Sequence, residues 1–423
     1  MARHRVIRTG ALVMTASLAM GIMAATPASA APKCFGKAAT IVGTSRADRI
    51  RGTNGRDVIV GRGGSDLLRG LDGNDLVCGG GGDDLIVGND GRDQLDGGGG
   101  GDGIQPGAGN DRIRGGSTTF DDVRYPDATG PIDGSLVDGQ VTGSMGTDTI
   151  ESGIEQIVGG NFDDVLEGDD GNNALIGLAG NDTISALGGF DGLVGGAGDD
   201  ALDGGDDDDF AENYFVDAFM SPDILAGPVT VNFNTGTSTG NGTDSLTGIE
   251  GASGSMGDDV MTGDSGNNEF TGLYEGADQA EGGPGDDVID GGEGADDLDG
   301  GPGVDLLGFL HSPAGITVDL DTSTDSEGDT ISNFENVWGT FLADSITGDD
   351  GPNELLGFGG ADALFGLGGD DFVLGGGGTD TADGGLGTDQ CDAETETACE
   401  SDPTAPTASA SHASAYAWKG SIR

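Results

Sequence analysis

Gly79 to Val87 reads GGGGDDLIV and Gly291 to Asp299 reads GGEGADDLD. Both are copies of a nine-residue interval, G-G-x-G-x-D-x-U-x with U a large aliphatic. It runs without a slip through Asp48, Asp57, Asp66, Asp75, Asp84, Asp93, Asp102 and Asp111. Two residues after each aspartate come Ile50, Ile59, Leu68, Val77, Ile86, Leu95, Ile104 and Ile113. About six residues of turn and three of strand make half a coil, so successive turns fall on opposite edges of a flattened roll and the same edge recurs every two intervals. Asp57 then stacks beneath Asp75, and Asp66 beneath Asp84. The spacing predicts an all-β chain, a parallel β-roll or β-helix solenoid of glycine-rich nonapeptide repeats.

Neighbouring strands lie about 4.8 Å apart, so stacked carboxylates repel by roughly 1 kcal/mol in water and by more at an intermediate dielectric. A cation between them reverses that sign. Carboxylates with backbone carbonyls form a hard oxygen shell, which suits Ca²⁺ better than Mg²⁺ or a transition metal. Glycines follow from the same geometry, because a turn folded around an ion needs positive φ and close backbone approach. The aliphatics face inward from both sheets and make a thin core. Each contributes about 1.5 to 3 kcal/mol on burial, against roughly 1 to 2 kcal/mol of backbone entropy for every ordered residue. The sum is unfavourable without metal, so the expectation is a chain that folds on binding multiple calcium ions. A low-complexity solvating linker is the competing reading, and the strict register of the aliphatics argues against it.

The interval resumes in three further blocks. The second runs through Asp164, Asn173, Asp182, Asp191, Asp200 and Asp209. The third has Asp259 and Asn268, slips by one residue around Glu275, and continues at Asp278, Asp287, Asp296 and Asp305. The fourth reads Asp344, Asn353, Asp362, Asp371, Asp380 and Asp389. All these aspartates except Asp48 and Asp259 are candidate calcium ligands. Between blocks lie three related inserts, too long for unstructured loops. GTDTIESGIEQI from Gly146, GTDSLTGIEGA from Gly242 and EGDTISNFENV from Glu327 align, and Glu155, Glu250 and Glu335 each precede the next block's first aspartate by one interval. GPVTVNF from Gly227 and GITVDL from Gly315 alternate as half-buried strands do. Each insert is expected to be a strand-rich excursion that either widens the roll or caps the preceding block.

The repeat resembles that of the repeats-in-toxin, or hemolysin-type calcium-binding, family, and the resemblance covers nearly all of Cys34 to Cys399. It implies a secreted calcium-binding protein. Departures weaken individual turns: Pro106 replaces a leading glycine, Arg46 replaces the glycine before Asp48, and Asn173, Asn268 and Asn353 are neutral. One ion per stacked pair gives a ceiling of roughly sixteen. Members of the family attach such rolls to proteases, lipases, epimerases and toxins, but here the roll is almost the whole chain. No H-E-x-x-H motif occurs, and no G-x-S-x-G elbow has an acid and histidine to serve it. His311 is the one histidine of the ordered body and reads as a solvated loop residue, so no catalytic residue is assigned and the chain is not expected to be an enzyme. An ice-binding face is disfavoured because no threonine ladder accompanies the first block.

The chain has 75 acidic and 17 basic residues, a formal net charge of −58. On that balance nucleic acid and anionic membranes are poor partners, since no basic patch is evident to neutralise phosphates. Residues 1–30 read as a secretory signal: Arg3, Arg5 and Arg8 precede an apolar run from Ala11 to Ala25, then Ala28-Ser29-Ala30. No later stretch is long and apolar enough to span a bilayer. Four cysteines in an exported chain suggest two disulfides, most economically Cys34 with Cys78 and Cys391 with Cys399, one at each end. The expected organisation is a first roll at 31–116, insert plus roll at 117–210, 211–305 and 306–399, and a disordered tail at 400–423. The aromatic cluster in FAENYFVDAFM, Phe210 to Met220, reads as a plug closing the second roll, or as a partner or carbohydrate patch. Two functions compete: an extracellular calcium-stiffened structural or interaction module, and a secreted enzyme or adhesin whose surface lies in the inserts.

Overall fold

The computed structural model describes residues 31–116, 120–211, 227–240, 242–393 and 395–399. The signal, the tail and most of the aromatic segment from Phe210 lie outside the described residues, so the plug reading is not addressed. Within them there is no helix, and 41 of the 47 short strands join one hydrogen-bonded system.

That system is a parallel solenoid. Arg49–Arg51 pairs with Leu67–Arg69, which pairs with Leu85–Gly91 and then Gly103–Gly109, each step bringing residue i beside i+18. The opposite sheet runs from Val58–Val60 through Leu76–Gly81 and Gln94–Gly99 to Arg112–Gly116 in the same register. Alternation along each strand turns one side chain inward: Ile59, Leu68, Val77, Ile86, Leu95, Ile104 and Ile113 are all 0% exposed. The third block carries the expected slip as a step of 19 residues, pairing Val260 with Gln279 and Glu269 with Val288. Leu273, inside the slip, is buried as a further core residue.

The inserts extend the roll and do not cap it. In the first, Asp122–Arg124 continues one sheet between Gly103–Gly109 and Gln156–Val158. On the other sheet, Gly146–Ser152 pairs in parallel with Arg112–Gly116, Gln140–Gly143 returns antiparallel, and Ile132–Ser135 pairs in parallel with Val165–Glu167. The second insert repeats this meander through Thr243–Thr247, Thr237–Thr239 and Thr230–Asn232, and the third through Thr330–Ser332, Thr324–Asp325 and Thr317–Asp319. One buried apolar cluster therefore runs from Ile59 to Ala382, taking in Ile132, Val231 and Val318 of the inserts.

Both disulfides join the expected cysteines. Cys34 bonds Cys78 across a Cα separation of 5.7 Å and holds the Lys33–Cys34 and Lys37–Ala38 hairpin over Val58, Val60 and Leu76 on an outer sheet face. Cys391 bonds Cys399 at 5.8 Å, and Cys391 packs against the last core residues.

The structure extends one sequence reading and corrects another. His311 stands exposed in a turn, as expected of a loop histidine, and is also held there: its Nδ1 lies 2.8 Å from Oδ2 of Asp290, which is 1% exposed, and Tyr274 meets its ring edge-on. A basic patch does exist, because the acidic residues of the first coils are largely buried at the roll's edges while Arg46, Arg49, Arg51, Arg62 and Arg69 are exposed. Net charge concealed it.

Candidate metal centre

Each turn ends in the repeat aspartate just before its strand, and this fixes where the carboxylate goes. Its Oδ1 accepts the backbone N–H of the aspartate one coil earlier. Asp66 accepts from Asp48 at 2.7 Å, Asp75 from Asp57, Asp84 from Asp66, Asp93 from Asp75 and Asp102 from Asp84 at 2.8 Å, and Asp111 from Asp93 at 2.7 Å. Later blocks repeat the bond at Asp182, Asp191, Asp200 and Asp209, then at Asp278, Asp287, Asp296 and Asp305, then at Asp362, Asp371, Asp380 and Asp389. Two carboxylate ladders thus follow the two edges of the roll.

The second oxygen is different. Oδ2 of Asp66, Asp75, Asp84, Asp93, Asp102 and Asp111 is buried with no hydrogen-bond partner, as are those of the later aspartates of this ladder from Asp182 to Asp371. A buried acceptor left bare costs about 1 to 3 kcal/mol or more when charged, so these oxygens mark places for a positive ligand. The glycines show the space. A methyl group on Gly61 would stand 2.3 Å from Asp66 Oδ2 and 2.6 Å from the Gly79 carbonyl oxygen. At Gly177 the oxygens are Asp182 Oδ2 at 2.0 Å and the Gly195 carbonyl at 2.6 Å. Carboxylate and carbonyl from consecutive coils therefore converge on one cradle. Pro106 keeps it, since its carbonyl oxygen lies 2.4 Å from the equivalent point on Gly88.

Among the described residues no three His, Cys, Asp or Glu side chains gather closely enough to hold a metal by themselves. An ion in these turns must draw on backbone carbonyls, a donor set of hard oxygens that fits calcium.

Blocks begin with closed turns. Asp57 Oδ2 accepts the Thr53 N–H at 2.6 Å, Asp164 Oδ2 that of Gly160 at 2.6 Å, and Asp344 Oδ2 that of Thr340 at 2.7 Å. Asn173, Asn268 and Asn353 likewise accept the N–H four residues before them. These positions stand in the ladder yet offer no bare oxygen.

The ladder also passes through the inserts. Asp148 accepts the Asp111 N–H at 2.9 Å, Asp244 that of Asp200 at 3.0 Å, and Asp329 that of Asp296 at 2.8 Å. On the other edge Asp121 accepts from Asp102, and Glu155, Glu250 and Glu335 accept from Asp121, Asp209 and Asp305 at 2.8 to 3.0 Å. The glutamates were recognised in the sequence as register marks only. Asp148, Asp244 and Asp329 were missed although Ile150, Leu246 and Ile331 follow them at the repeat's own spacing.

Burial dominates the electrostatics, with the neighbouring carboxylates adding to it. Together they outweigh the bond from the backbone N–H and push Asp84 up to about 6, Asp93 and Asp102 to about 7, and Asp111 to about 8. Tyr125 donates to Asp148 Oδ2 at 3.1 Å and Ser238 to Asp244 Oδ2 at 2.6 Å, so a hydroxyl covers the second oxygen in two inserts.

A family model for the RTX calcium-binding nonapeptide repeat matches residues 42–77, 79–104, 104–117, 149–184, 158–193, 176–211, 253–273, 274–307, 338–373 and 356–391, more than half of the chain. No curated protein matches it.

Proposed function

Because the chain belongs to the RTX calcium-binding nonapeptide repeat family, and is thereby a calcium-binding β-roll protein, we propose that calcium folds it outside the cell into a stiff structural or interaction module. The observation that carries this reading is the row of buried, bare Oδ2 atoms facing carbonyl oxygens. Such a row is unfavourable until a divalent cation occupies it.

The aspartates with bare oxygens, from Asp66 to Asp111 and in the three later blocks, hold the ions. Asp57, Asp164 and Asp344 close the first turns and act as ligands only if calcium displaces the N–H they accept. The thin core makes ion binding and folding one equilibrium. Export is supported by the signal-like residues 1–30 and by two disulfides, which persist in oxidising compartments. No catalytic role is proposed.

Isothermal titration of the chain from Ala31 with Ca²⁺ tests the reading. Many ions, approaching roughly sixteen, with heat coupled to a gain of β structure, support it. One or two ions, or none, overturn it.

A further inference from the structure

Of the 17 basic residues, twelve lie between Lys33 and Arg124, and none lies between Arg124 and Lys419. Most of the acidic residues in that first stretch are ladder carboxylates buried along the edges. The arginines point the other way. Arg49 and Arg51 flank the inward Ile50 and so stand on the outer sheet face, and Arg51 is paired in register with Arg69 on the next coil. Arg46 and Arg62 lie in the turns leading into these two strands. All five are exposed, and none makes an ion pair among the described residues. In a chain so rich in acid, five exposed guanidinium groups without an ion pair on two adjacent coils make a cationic surface open to an anionic partner.

The opposite sheet face of these coils is occupied. The disulfide-held hairpin covers Val58, Val60 and Leu76 on the opposite sheet. Further along, Arg112 and Arg114 both pair with Glu151.

We propose that the exposed arginine face of the first coils binds a linear anionic polysaccharide through its sulfate or carboxylate groups. Guanidinium forks suit planar or multi-oxygen anions better than ammonium groups do. Strands about 4.8 Å apart, with outward positions about 6.6 Å apart along each, set the groups in a flat grid. A polymer with regularly repeated charge engages several at once. No aromatic residue lies between Phe35 and Phe120, so the face lacks the stacking platforms on which single-stranded nucleic acid relies. The inference rests on the calcium reading in one respect. Ions on the ladder cancel the carboxylates behind the arginines, so the face becomes strongly positive only in the loaded roll.

The test uses the chain from Ala31 in millimolar calcium, binding to immobilised dextran sulfate over a range of salt, with circular dichroism to check folding. Wild type is expected to bind. The R49S/R51S/R69S variant, with the same calcium-induced dichroism, is expected to bind at least tenfold more weakly. Its plot of log Kd against log salt should be shallower by about three, one counterion for each lost contact. If the triple variant does not fold, R51S and R69S singly should each weaken binding about threefold.

Absence of binding by folded wild type, or undiminished binding by the folded variants, overturns the proposal. So does competition by duplex DNA as strong as that by dextran sulfate at equal charge. Arginine-dependent self-association in sedimentation velocity without polymer assigns the face to a second copy and also overturns it. Failure of calcium to fold the chain is read separately from the dichroism and strikes the calcium reading.

Discussion

Replacing Asp182 with alanine removes two things at once. The Asp164 N–H loses its acceptor at 2.7 Å, and the cradle beneath Gly177 loses its carboxylate. Leaving that buried donor unpaired costs about 1 to 3 kcal/mol. Asp182→Asn keeps an acceptor and loses the charge. Calorimetry is therefore expected to show fewer ions for both variants, and the calcium midpoint of folding should rise further for alanine than for asparagine. Equal midpoints would mean that Oδ1 does not support the coil. Protons act on the same groups. In the ion-free fold burial pushes Asp84, Asp93, Asp102 and Asp111 above the unfolded value of 3.8, to about 6 at Asp84 and about 8 at Asp111. Their contribution to ion-free stability is fully present below about pH 4 and is lost as pH rises through 6 to 8. Calcium-depleted protein should then gain β structure on acidification, while the calcium midpoint should rise as pH falls from 8 to 5. A circular dichroism series at fixed pH values checks both, and opposite trends would contradict the role given to burial. The inward aliphatics and the stacking of the aspartates were legible from spacing alone. The N–H to Oδ1 ladder was not, because sequence shows which residues stack but not which atoms meet.

The insert glutamates carry the next prediction. Glu250 accepts the Asp209 N–H at 2.9 Å where a repeat aspartate would stand, joining the second block to the third. Glu250→Ala should cost about 1 to 3 kcal/mol at that junction and split the calcium-induced transition into two steps, as expected when one nearest-neighbour interface of a solenoid is weakened. Glu250→Gln keeps the acceptor and should retain a single step. One step for both variants, followed by tryptophan fluorescence and circular dichroism together, would show that the blocks are joined by other means. The inserts were expected either to widen the roll or to cap a block, and spacing supports neither choice by itself. Their register was nevertheless present. Asp148, Asp244 and Asp329 each precede an aliphatic by two residues, and GTDTI, GTDSL and GDTI are half-repeats without the leading glycines. The antiparallel returns at Gln140–Gly143, Thr237–Thr239 and Thr324–Asp325 obey no nine-residue rule, so they surfaced only when pairing was seen.

At the scale of the molecule, one core runs the length of the roll and both ends are stapled. The Cys34–Cys78 bridge spans 44 residues and the Cys391–Cys399 bridge eight, so loop closure stabilises by about 4 and about 2.5 kcal/mol respectively. Reduction should fray the roll from its first coils. Amide exchange at Val58–Val60 is expected to accelerate while that at Leu175 and Leu193 stays slow, and uniform acceleration would argue against independent ends. Charge is where the sequence reading misled. A net charge of −58 suggests an evenly acidic surface, whereas the first coils hide carboxylates in their turns and display arginines. The asymmetry was countable from composition along the chain, but its meaning depended on which charges are buried. The most direct test of the calcium-folded roll is far-UV circular dichroism of the chain from Ala31, titrated with Ca²⁺ and separately with Mg²⁺ at constant ionic strength. A cooperative gain of β structure with calcium and not magnesium is expected. A spectrum already folded in chelator, or still disordered in millimolar calcium, would contradict the account.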